Sequence, residues 1–192
     1  AVEAQLGGAD GITFHLRQDR RHINDRDAAM LKETVHIKLN MEMSIAKGIV
    51  DIATKLVPDQ STLVPERREE LTTEGGLDVV RHAKRIKLVV ARLKKKGIEL
   101  SAFIEPNEDQ VRASAKAGFD ASELWTGGYA QAKSPAALKR VVARLERAIT
   151  VGHEVGLIVH GGHGLTYDNI DVVAALPGFA EFNIGHSIVS RA

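Results

Sequence analysis

The sequence predicts an α/β protein built as a (β/α)8 barrel, and three observations point to that fold class. Short β-rich runs alternate with longer amphipathic stretches, which is typical of βα units and a parallel sheet. Neither the glycine fingerprint of dinucleotide-binding folds nor a P-loop is present. Polar side chains recur where predicted strands end, and a barrel gathers its strand ends into one mouth, whereas an open doubly wound sheet spreads them along an edge. These side chains are His15, Glu42, Glu66, Glu123 and His163.

The strands are predicted from runs rich in β-branched and apolar residues that are bounded by Gly, Pro, Asn or Asp. Each run is followed by a helical pattern or by a polar loop, as a βα repeat requires. The seven predicted strands cover residues 12–16, 35–41, 61–64, 98–104, 121–126, 157–159 and 181–184.

Helix starts are predicted from side chains that accept hydrogen bonds from the free backbone N–H groups of a first turn. The helix 77–96 is recognised instead by an apolar face that comprises Val80, Ile86, Val90 and Leu93. The predicted caps are Asn24 for a helix to residue 34, Ser44 for 45–56, Asn107 for 108–117 and Ser134 for a helix to about 155.

Composition excludes several classes of function. The 192 residues are 44% hydrophobic, enough for a sizeable core, and a net charge of +1 argues against a large nucleic-acid interface. The absence of cysteine excludes disulfides, zinc ribbons, iron–sulfur clusters and thiol catalysis. No apolar run approaches the roughly 18 residues of a membrane span, and no signal peptide is recognised, so a cytoplasmic protein is expected.

The strand count is one short of a complete barrel, which has eight strands and typically about 250 residues. Residues 2–7 read as the end of a first helix, and the chain stops where a last helix is expected to begin. We therefore expect residues 1–192 to form a single barrel domain that is incomplete at both ends, without the first strand and the last helix. Such a barrel has two unpaired edges.

Two candidate proton-transfer groups lie at the first two strand ends. Alternation along the strand places His15 and Arg17 on one side, where the imidazole can transfer protons and the guanidinium can hold a phosphate or carboxylate. The alternative is a basic surface loop with a buried, hydrogen-bonded histidine.

Glu42 follows Met41 at the end of an apolar strand, where desolvation raises the pKa of a carboxyl group and favours a general base. The alternative is an ordinary glutamate in the first turn of a helix.

Other candidates lie nearer the carboxyl terminus. Glu123 lies inside a short strand, where a carboxylate is unusual unless it is paired or functional. The Gly/His loops at 160–166 and 183–186 follow the last two strands, the usual phosphate site of a barrel, and His163 is suited to protonate a leaving oxygen. The stretch 72–76 offers hydroxyl and N–H groups to an oxygen-rich ligand, or is a plain loop. No H-x-H or H-E-x-x-H spacing occurs, so no required metal is expected.

Several of these segments together resemble the pyridoxine 5′-phosphate synthase family, which closes the pyridine ring of vitamin B6. The resemblance runs in order over essentially the whole chain. The matching segments are GADGITFHLR (8–17), DRRHI (19–23), NMEM (40–43), LVPE (63–66), TTEGGLD (72–78), GHGLTY (162–167) and NIGH (183–186).

The resemblance implies an octameric (β/α)8 barrel that condenses 1-deoxy-D-xylulose 5-phosphate with 3-amino-2-oxopropyl phosphate. Pyridoxine 5′-phosphate, inorganic phosphate and water are released, and no cofactor is required. By motif, it implies general bases at His15 and Glu42, a general acid at His163 and a transition-state-stabilising carboxylate at Glu123. The implied contacts to deoxyxylulose phosphate are Arg17, His22 and Thr72, and those to the aminoketone phosphate are Gly164, Gly185 and His186.

The sequence departs from the family pattern because the family's first strand, with its Asn-x-Asp-His and a following Arg, would precede residue 1. Those residues bind both substrates in the family, so weak binding is expected of these 192 residues alone. Two alternatives remain open. One is another phosphosugar barrel, an isomerase or a lyase with a Schiff-base lysine, for which Lys38 is the only strand candidate. The other is an inactive barrel fragment that serves as a binding or assembly module.

Overall fold

The barrel architecture is confirmed by the computed structural model, which describes residues 1–72 and 75–192. Within these residues, seven strands form one parallel sheet in which each strand pairs with the next along the chain, so that the sheet curves into a nearly closed barrel. The strands are β1 (Gly11–His15), β2 (Lys38–Met43), β3 (Gln60–Leu63), β4 (Glu99–Ile104), β5 (Ala121–Trp125), β6 (Ile158–Gly162) and β7 (Glu181–Asn183).

Helices follow the strands as the alternating pattern predicts. In the part of the chain that the structure describes, no helix is long and apolar enough to cross a membrane. The helices are α1 (Val2–Leu6), α2 (Asp25–Thr34), α3 (Lys47–Leu56), α4 (Val79–Lys94), α5 (Glu108–Ala117), α6 (Gly127–Ala130), α7 (Pro135–Glu154), α8 (Ile170–Ala174) and α9 (His186–Val189), with a 3-10 turn at Arg68–Glu70.

Three of the four predicted caps are confirmed. Asn24 accepts hydrogen bonds from the N–H groups of Arg26 and Asp27, and the Asp27 carboxylate accepts one from the Asn24 N–H. Asn107 and Ser134 cap α5 and α7 in the same general way.

The prediction for Ser44 is wrong. The helix begins at Lys47 with Ala46 at its N-cap position, because β2 continues to Met43 and the chain needs the next three residues to turn. Ser44 is fully buried in that turn, 3.5 Å from the Ala46 N–H.

The predicted apolar face of α4 needs one correction. Ile86, Val90 and Leu93 are buried, but Val80 is 52% exposed and Val79 is buried instead. Val79 lies seven residues before Ile86, two turns of an α-helix, so it shares the buried face while Val80 falls outside it.

The side chains of each strand alternate between the barrel interior and the helix layer. In β2, Leu39 and Met41 are fully buried in the apolar core beneath the helices, whereas Asn40 and Glu42 point to the interior. Polar contacts cross that interior from strand to strand: the Thr62 hydroxyl donates a hydrogen bond to Asn40 Oδ1 at 3.0 Å. The fold therefore places its apolar core outside the sheet and a polar surface inside it.

The first and last strands form the two edges of the sheet, and no described residue pairs with their outer sides. Side chains nevertheless link the two edges across the interior. The Thr13 hydroxyl of β1 donates a hydrogen bond to Asn183 Oδ1 of β7 at 2.8 Å. Lys38 Nζ of β2 lies 3.0 Å from a carboxylate oxygen of Glu181. These contacts hold the barrel nearly closed with seven strands.

Candidate active site

The centre of the candidate site is the imidazole of His15, the last residue of β1. The pairing of β1 with β2 places His15 directly beside Glu42. His15 Nδ1 lies 3.7 Å from Glu42 Oε2, and His15 Nε2 lies 3.2 Å from Glu66 Oε1. About a quarter of the His15 side chain is exposed. The histidine is thus held between two carboxylates at the mouth, and it is neither a free surface residue nor a fully buried one.

The surroundings of His15 favour its neutral form. Burial lowers the pKa of His15, and the nearby Arg17 charge lowers it further. The hydrogen bond and charge of Glu66 and the charge of Asp19 raise the pKa, but burial outweighs them. A neutral imidazole is the form that accepts a proton.

Glu42 is the second-to-last residue of β2, because the strand runs to Met43. It does not lie in a helix. The reading of Glu42 as a first-turn helix residue is therefore wrong. Burial raises the pKa of the Glu42 carboxyl, as its apolar neighbours on the strand predict. A carboxylate with a raised pKa is a stronger base near neutral pH.

Glu123 of β5 is almost fully buried inside the barrel, at 2% exposure. The Asn183 side-chain amide donates a hydrogen bond to Glu123 Oε2 at 3.0 Å. Burial raises the pKa of Glu123 well above its ordinary value, and the charges of Glu42 and Glu181 raise it further. These interactions favour a neutral carboxylic acid at position 123.

Gly162 makes room for this carboxyl group. A Cβ atom at position 162 would overlap Glu123 Oε1 and would lie 3.2 Å from the carbonyl oxygen of Asn183. The glycine of β6 is therefore required for Glu123 to occupy its position.

An ion-pair cluster inside the barrel adjoins Glu123, because His160 pairs with Glu123 in the sheet and Glu181 pairs with His160. Lys38 Nζ is 3.0 Å from Glu181 Oε2 and 3.7 Å from Glu99 Oε1. His160 is 2% exposed, with Nδ1 3.6 Å from Glu181 Oε1, and burial lowers its pKa. Lys38 is the first residue of β2, whereas Glu42 lies near the other end of that strand.

A cavity of about 440 Å³ lies beside His15 at the loop that follows β1. Arg17 and Arg21 line it, and both guanidinium groups lie near one carboxylate: their Nε atoms are 3.5 and 3.3 Å from Asp19 oxygens. His22 also lines the cavity and adopts a left-handed backbone conformation with φ 72°. The structure thus brings the predicted residues His15, Arg17 and His22 around one concave, cationic surface.

The two predicted Gly/His loops lie side by side, because Gly162 of β6 pairs with Asn183 of β7. His163 and Gly164 both have φ 79°, a left-handed conformation that turns the chain sharply. The Thr126 hydroxyl braces this turn, 2.7 Å from the His163 carbonyl oxygen. Gly185 and His186 lie in the neighbouring loop, where Gly185 precedes α9.

The imidazole of His163 lies at the exposed rim of the mouth. Its ring centroid is 6.3 Å from those of Phe103 and Trp125. The strand that carries Glu123 thus also provides, with Trp125, an aromatic neighbour for His163.

Thr72 is positioned by its own loop. Its hydroxyl hydrogen-bonds to Glu105 Oε1 and accepts a hydrogen bond from the Gly76 N–H at 3.1 Å. A Cβ atom at position 76 would collide with the backbone of Ile104, so the loop lies tightly against the end of β4. Thr72 is therefore at the mouth, where its hydroxyl group is hydrogen-bonded to Gly76 and Glu105. Thr73 and Glu74 of the same motif lie outside the described residues.

Sequence reasoning gave Glu66 a position but no role, and it overlooked the contact of Asn183 with Glu123. A signal was available for both residues, since Asn183 is a polar residue at the end of a short strand and Glu66 is one shortly after such an end. Within residues 1–72 and 75–192, no group of three or more His, Asp or Glu side chains is arranged to hold a metal ion.

Solved structures with very different sequences share this fold. Phosphoribosyl anthranilate isomerase from Thermus thermophilus superposes with a TM-score of 0.61 at 14% identity, over 95% of this chain and 80% of that one. A structure described as "Native KDPGal structure" gives a TM-score of 0.65 at 12% identity, over 96% of this chain and 74% of the other. At such low identity these similarities concern the fold alone.

Sequence comparisons are far more specific. Proteins named pyridoxine 5'-phosphate synthase from Syntrophotalea carbinolica, Geobacter sulfurreducens and a Synechococcus species are each 52% identical to this chain over 192 residues. Each match covers 100% of this chain and 80% of the relative. The family model described as "Pyridoxal phosphate biosynthesis protein PdxJ" matches residues 1–192. The chain therefore belongs to the PdxJ family of pyridoxal phosphate biosynthesis proteins.

Proposed function

We propose that this protein is a pyridoxine 5′-phosphate synthase, which condenses 1-deoxy-D-xylulose 5-phosphate with 3-amino-2-oxopropyl phosphate. The products are pyridoxine 5′-phosphate, inorganic phosphate and water. The observation that carries the proposal is the position of the His15 imidazole, which is held between Glu42 and Glu66 beside an arginine-lined cavity. Membership of the PdxJ family supports the same reaction.

The chemistry requires several proton transfers together with the loss of water and of phosphate. We assign the general-base steps to His15 and Glu42, whose pKa values are shifted toward each other by burial. We assign the donation of a proton to the leaving oxygen to His163, at the exposed rim. Glu123, as a neutral acid, donates a hydrogen bond to an oxygen that gains negative charge in the transition state.

Two phosphate groups must be bound, and we assign them to two places at the mouth. Arg17 and His22 face the cavity beside His15 and are assigned to deoxyxylulose phosphate, together with Thr72. The adjacent turns at 163–164 and 185–186 are assigned to the aminoketone phosphate, because the backbone N–H groups of such turns are common phosphate ligands. The residues of the second site are Gly164, Gly185 and His186.

The amine of the aminoketone substrate forms the imine, so the reaction needs no catalytic lysine, and we propose that it needs neither a metal nor an organic cofactor. A Schiff-base lyase would require a lysine at the mouth. Lys38 is the first residue of β2, at the other end of that strand from Glu42, and its ammonium group is paired with Glu181 and Glu99. Reduction with borohydride in the presence of substrate is expected to leave Lys38 unmodified, and a stable adduct on that lysine would favour the lyase.

The direct test of the proposal is to incubate the purified protein with both phosphorylated substrates and to follow pyridoxine 5′-phosphate by mass spectrometry. Product is expected only when both substrates are present, and inorganic phosphate is expected in equal amount. A protein that is folded by circular dichroism and binds both substrates but forms no product would contradict the proposal and would favour an inactive binding module.

The family resemblance also leads us to propose a cytoplasmic homo-octamer. Light scattering measures the mass directly, and a mass of eight chains of 20.8 kDa is expected. A monomer that aggregates would instead favour the assembly-module alternative, because unpaired sheet edges promote association.

A further inference from the structure

The side chain of Glu66 is fixed on both of its oxygens. It follows Pro65 in the loop after β3, and only 4% of the side chain is exposed. Oε1 lies 3.2 Å from His15 Nε2, while Oε2 accepts hydrogen bonds from the Gln18 N–H at 3.1 Å and from its side-chain amide at 3.0 Å. A carboxylate with this many fixed partners has little freedom to turn away from the histidine.

The backbone that carries Glu66 is fixed as well. The N–H groups of Glu66 and Arg67 both donate hydrogen bonds to Glu70 Oε2, at 3.1 and 3.3 Å. Glu70 is itself 3% exposed. Glu66 is therefore presented to His15 by a loop that a second buried carboxylate holds in place.

The contact determines which nitrogen of His15 is basic. A carboxylate accepts hydrogen bonds and does not donate them, so the nitrogen that faces Glu66 must carry the hydrogen. That nitrogen is Nε2. The free lone pair of a neutral His15 is then on Nδ1, which faces Glu42 at 3.7 Å.

We propose that Glu66 is a positioning residue that holds His15 as the Nε2–H tautomer and leaves Nδ1 as its basic nitrogen. The base role of His15 rests on the proposed function, whereas the tautomer is a property of the protein without substrate. Glu66 reaches the chemistry only through His15, in the way that a buried carboxylate orients a catalytic histidine in other enzymes.

The charged groups around His15 fix the sign of a pH effect. They are Glu42 from β2, Glu66 from the loop after β3, and Arg17 and Asp19 from the loop after β1. Glu66 raises the pKa of His15 both by its hydrogen bond and by its charge, against the lowering by burial and by Arg17. Removal of the Glu66 charge therefore lowers the pKa of His15 further.

The test uses Glu66→Gln, which keeps the size of the side chain but removes the charge and replaces one acceptor oxygen by a donor NH2 group, so that either the oxygen or the NH2 group can face His15 Nε2. Nitrogen-15 NMR of the substrate-free protein distinguishes the two tautomers, and the His15 signal is assigned by its loss in a His15→Asn variant. A single Nε2–H tautomer is expected in the wild-type protein and a mixture of both tautomers in Glu66→Gln.

We expect the kcat of Glu66→Gln to fall about tenfold or more while its KM stays within about threefold of the wild-type value, since misorientation of a catalytic group acts on the chemical step. In the plot of kcat against pH, the acidic limb of Glu66→Gln is expected to lie at lower pH than that of the wild type.

Glu69→Gln is the matched control, because it removes a charge from the same 3-10 turn at an exposed position that does not hold the Glu66 backbone. It is expected to leave the tautomer and the position of the acidic limb as in the wild type. An Nδ1–H tautomer in the wild type, or a Glu66→Gln variant with an unchanged tautomer and limb, would overturn the proposal. If the wild type forms no product but shows the Nε2–H tautomer that Glu66→Gln loses, the positioning role stands and the proposed function fails.

Discussion

Burial removes water from His15, Glu42 and Glu123 alike, but it affects an imidazole and a carboxyl group in opposite directions. It lowers the pKa of His15 and raises the pKa of both carboxyl groups, because in each case the charged form is the one that loses hydration. The three groups therefore all move toward their neutral forms. Burial thus brings the pKa values of the His15 imidazole and the Glu42 carboxyl closer together, and a proton moves between two groups at little free-energy cost when their pKa values are similar, which suits a reaction with several proton transfers.

The first prediction concerns Glu42. Glu42→Gln removes the base but keeps the shape of the side chain, so turnover is expected to fall by about 10² or more. The folded state should be unaffected, because the amide needs less hydration than the carboxylate it replaces. Steady-state kinetics and thermal unfolding measure the two effects. Unchanged turnover would remove Glu42 from its assigned role.

The second prediction concerns stability and pH at Glu123. The folded-state pKa of Glu123 lies above its ordinary value of 4.5, so the protonated group's contribution to stability is fully present below about pH 4.5 and is lost as pH rises through the folded-state pKa. Gln cannot ionise and keeps that contribution. Glu123→Gln should therefore unfold at a higher temperature than the wild type at pH 8, with a difference that shrinks toward pH 5.

Each 1 kcal/mol of stability corresponds to about 2–4 °C in Tm for a chain of this size. Glu33→Gln, at an exposed position of α2, is the control, because it changes the net charge equally without a buried carboxyl. An equal difference between the wild type and Glu123→Gln at both pH values would show that Glu123 is not held neutral by its surroundings.

At the scale of helices and strands, local rules predicted most boundaries. Asn24, Asn107 and Ser134 mark helix starts because a side-chain acceptor and a first turn are neighbours in sequence. Ser44 failed as a cap because the length of β2 is set by pairing with β1 and β3, which a local rule does not see. The same holds for Gly162. Position 162 requires glycine because the carboxyl group of Glu123, on a different strand, occupies the space of a Cβ atom.

The third prediction tests that packing. Gly162→Ala places a methyl group where Glu123 Oε1 lies, so the carboxyl group must move. Overpacking of this kind costs about 1–3 kcal/mol, and turnover should fall as Glu123 leaves its position. Gly48→Ala is the control, since a Cβ atom at position 48 of α3 meets no atom within 4 Å. Thermal unfolding and kinetics of the pair should differ, and equal behaviour would mean that β6 tolerates a side chain at this point.

At the scale of the whole molecule, the alternation of strands and helices was sufficient to predict the barrel and the clustering of strand ends. The particular contacts were not predictable, because they join residues far apart in sequence. Glu66 is 51 residues from His15, and Asn183 is 60 residues from Glu123. Such contacts depend on the register of several strands and on loop conformations, neither of which has a local signature. The candidate residues were thus identified, while their pairing required the structure.

The fourth prediction concerns the ion pairs that cross the barrel. Lys38 of β2 neutralises Glu99 of β4 and Glu181 of β7, so it links strands on different sides of the interior. Lys38→Met keeps the packing of the stem but leaves two carboxylates without their cation near Glu123. Tm is expected to fall relative to the wild type, because the two carboxylates lose the cation that lies between them. Lys47→Met is the control, because its ion pair with Asp51 is at the surface.

The left-handed backbone of His22 and His163 has a practical consequence for engineering. A branched or bulky residue pays a steric penalty there that glycine avoids, so substitution of either histidine by glycine relieves strain. Directed evolution that selects only for heat resistance is therefore expected to discard these two imidazoles early. Under the proposed roles of His22 and His163, the selected barrel would be stable but inactive, so libraries for a thermostable catalyst should hold both positions constant.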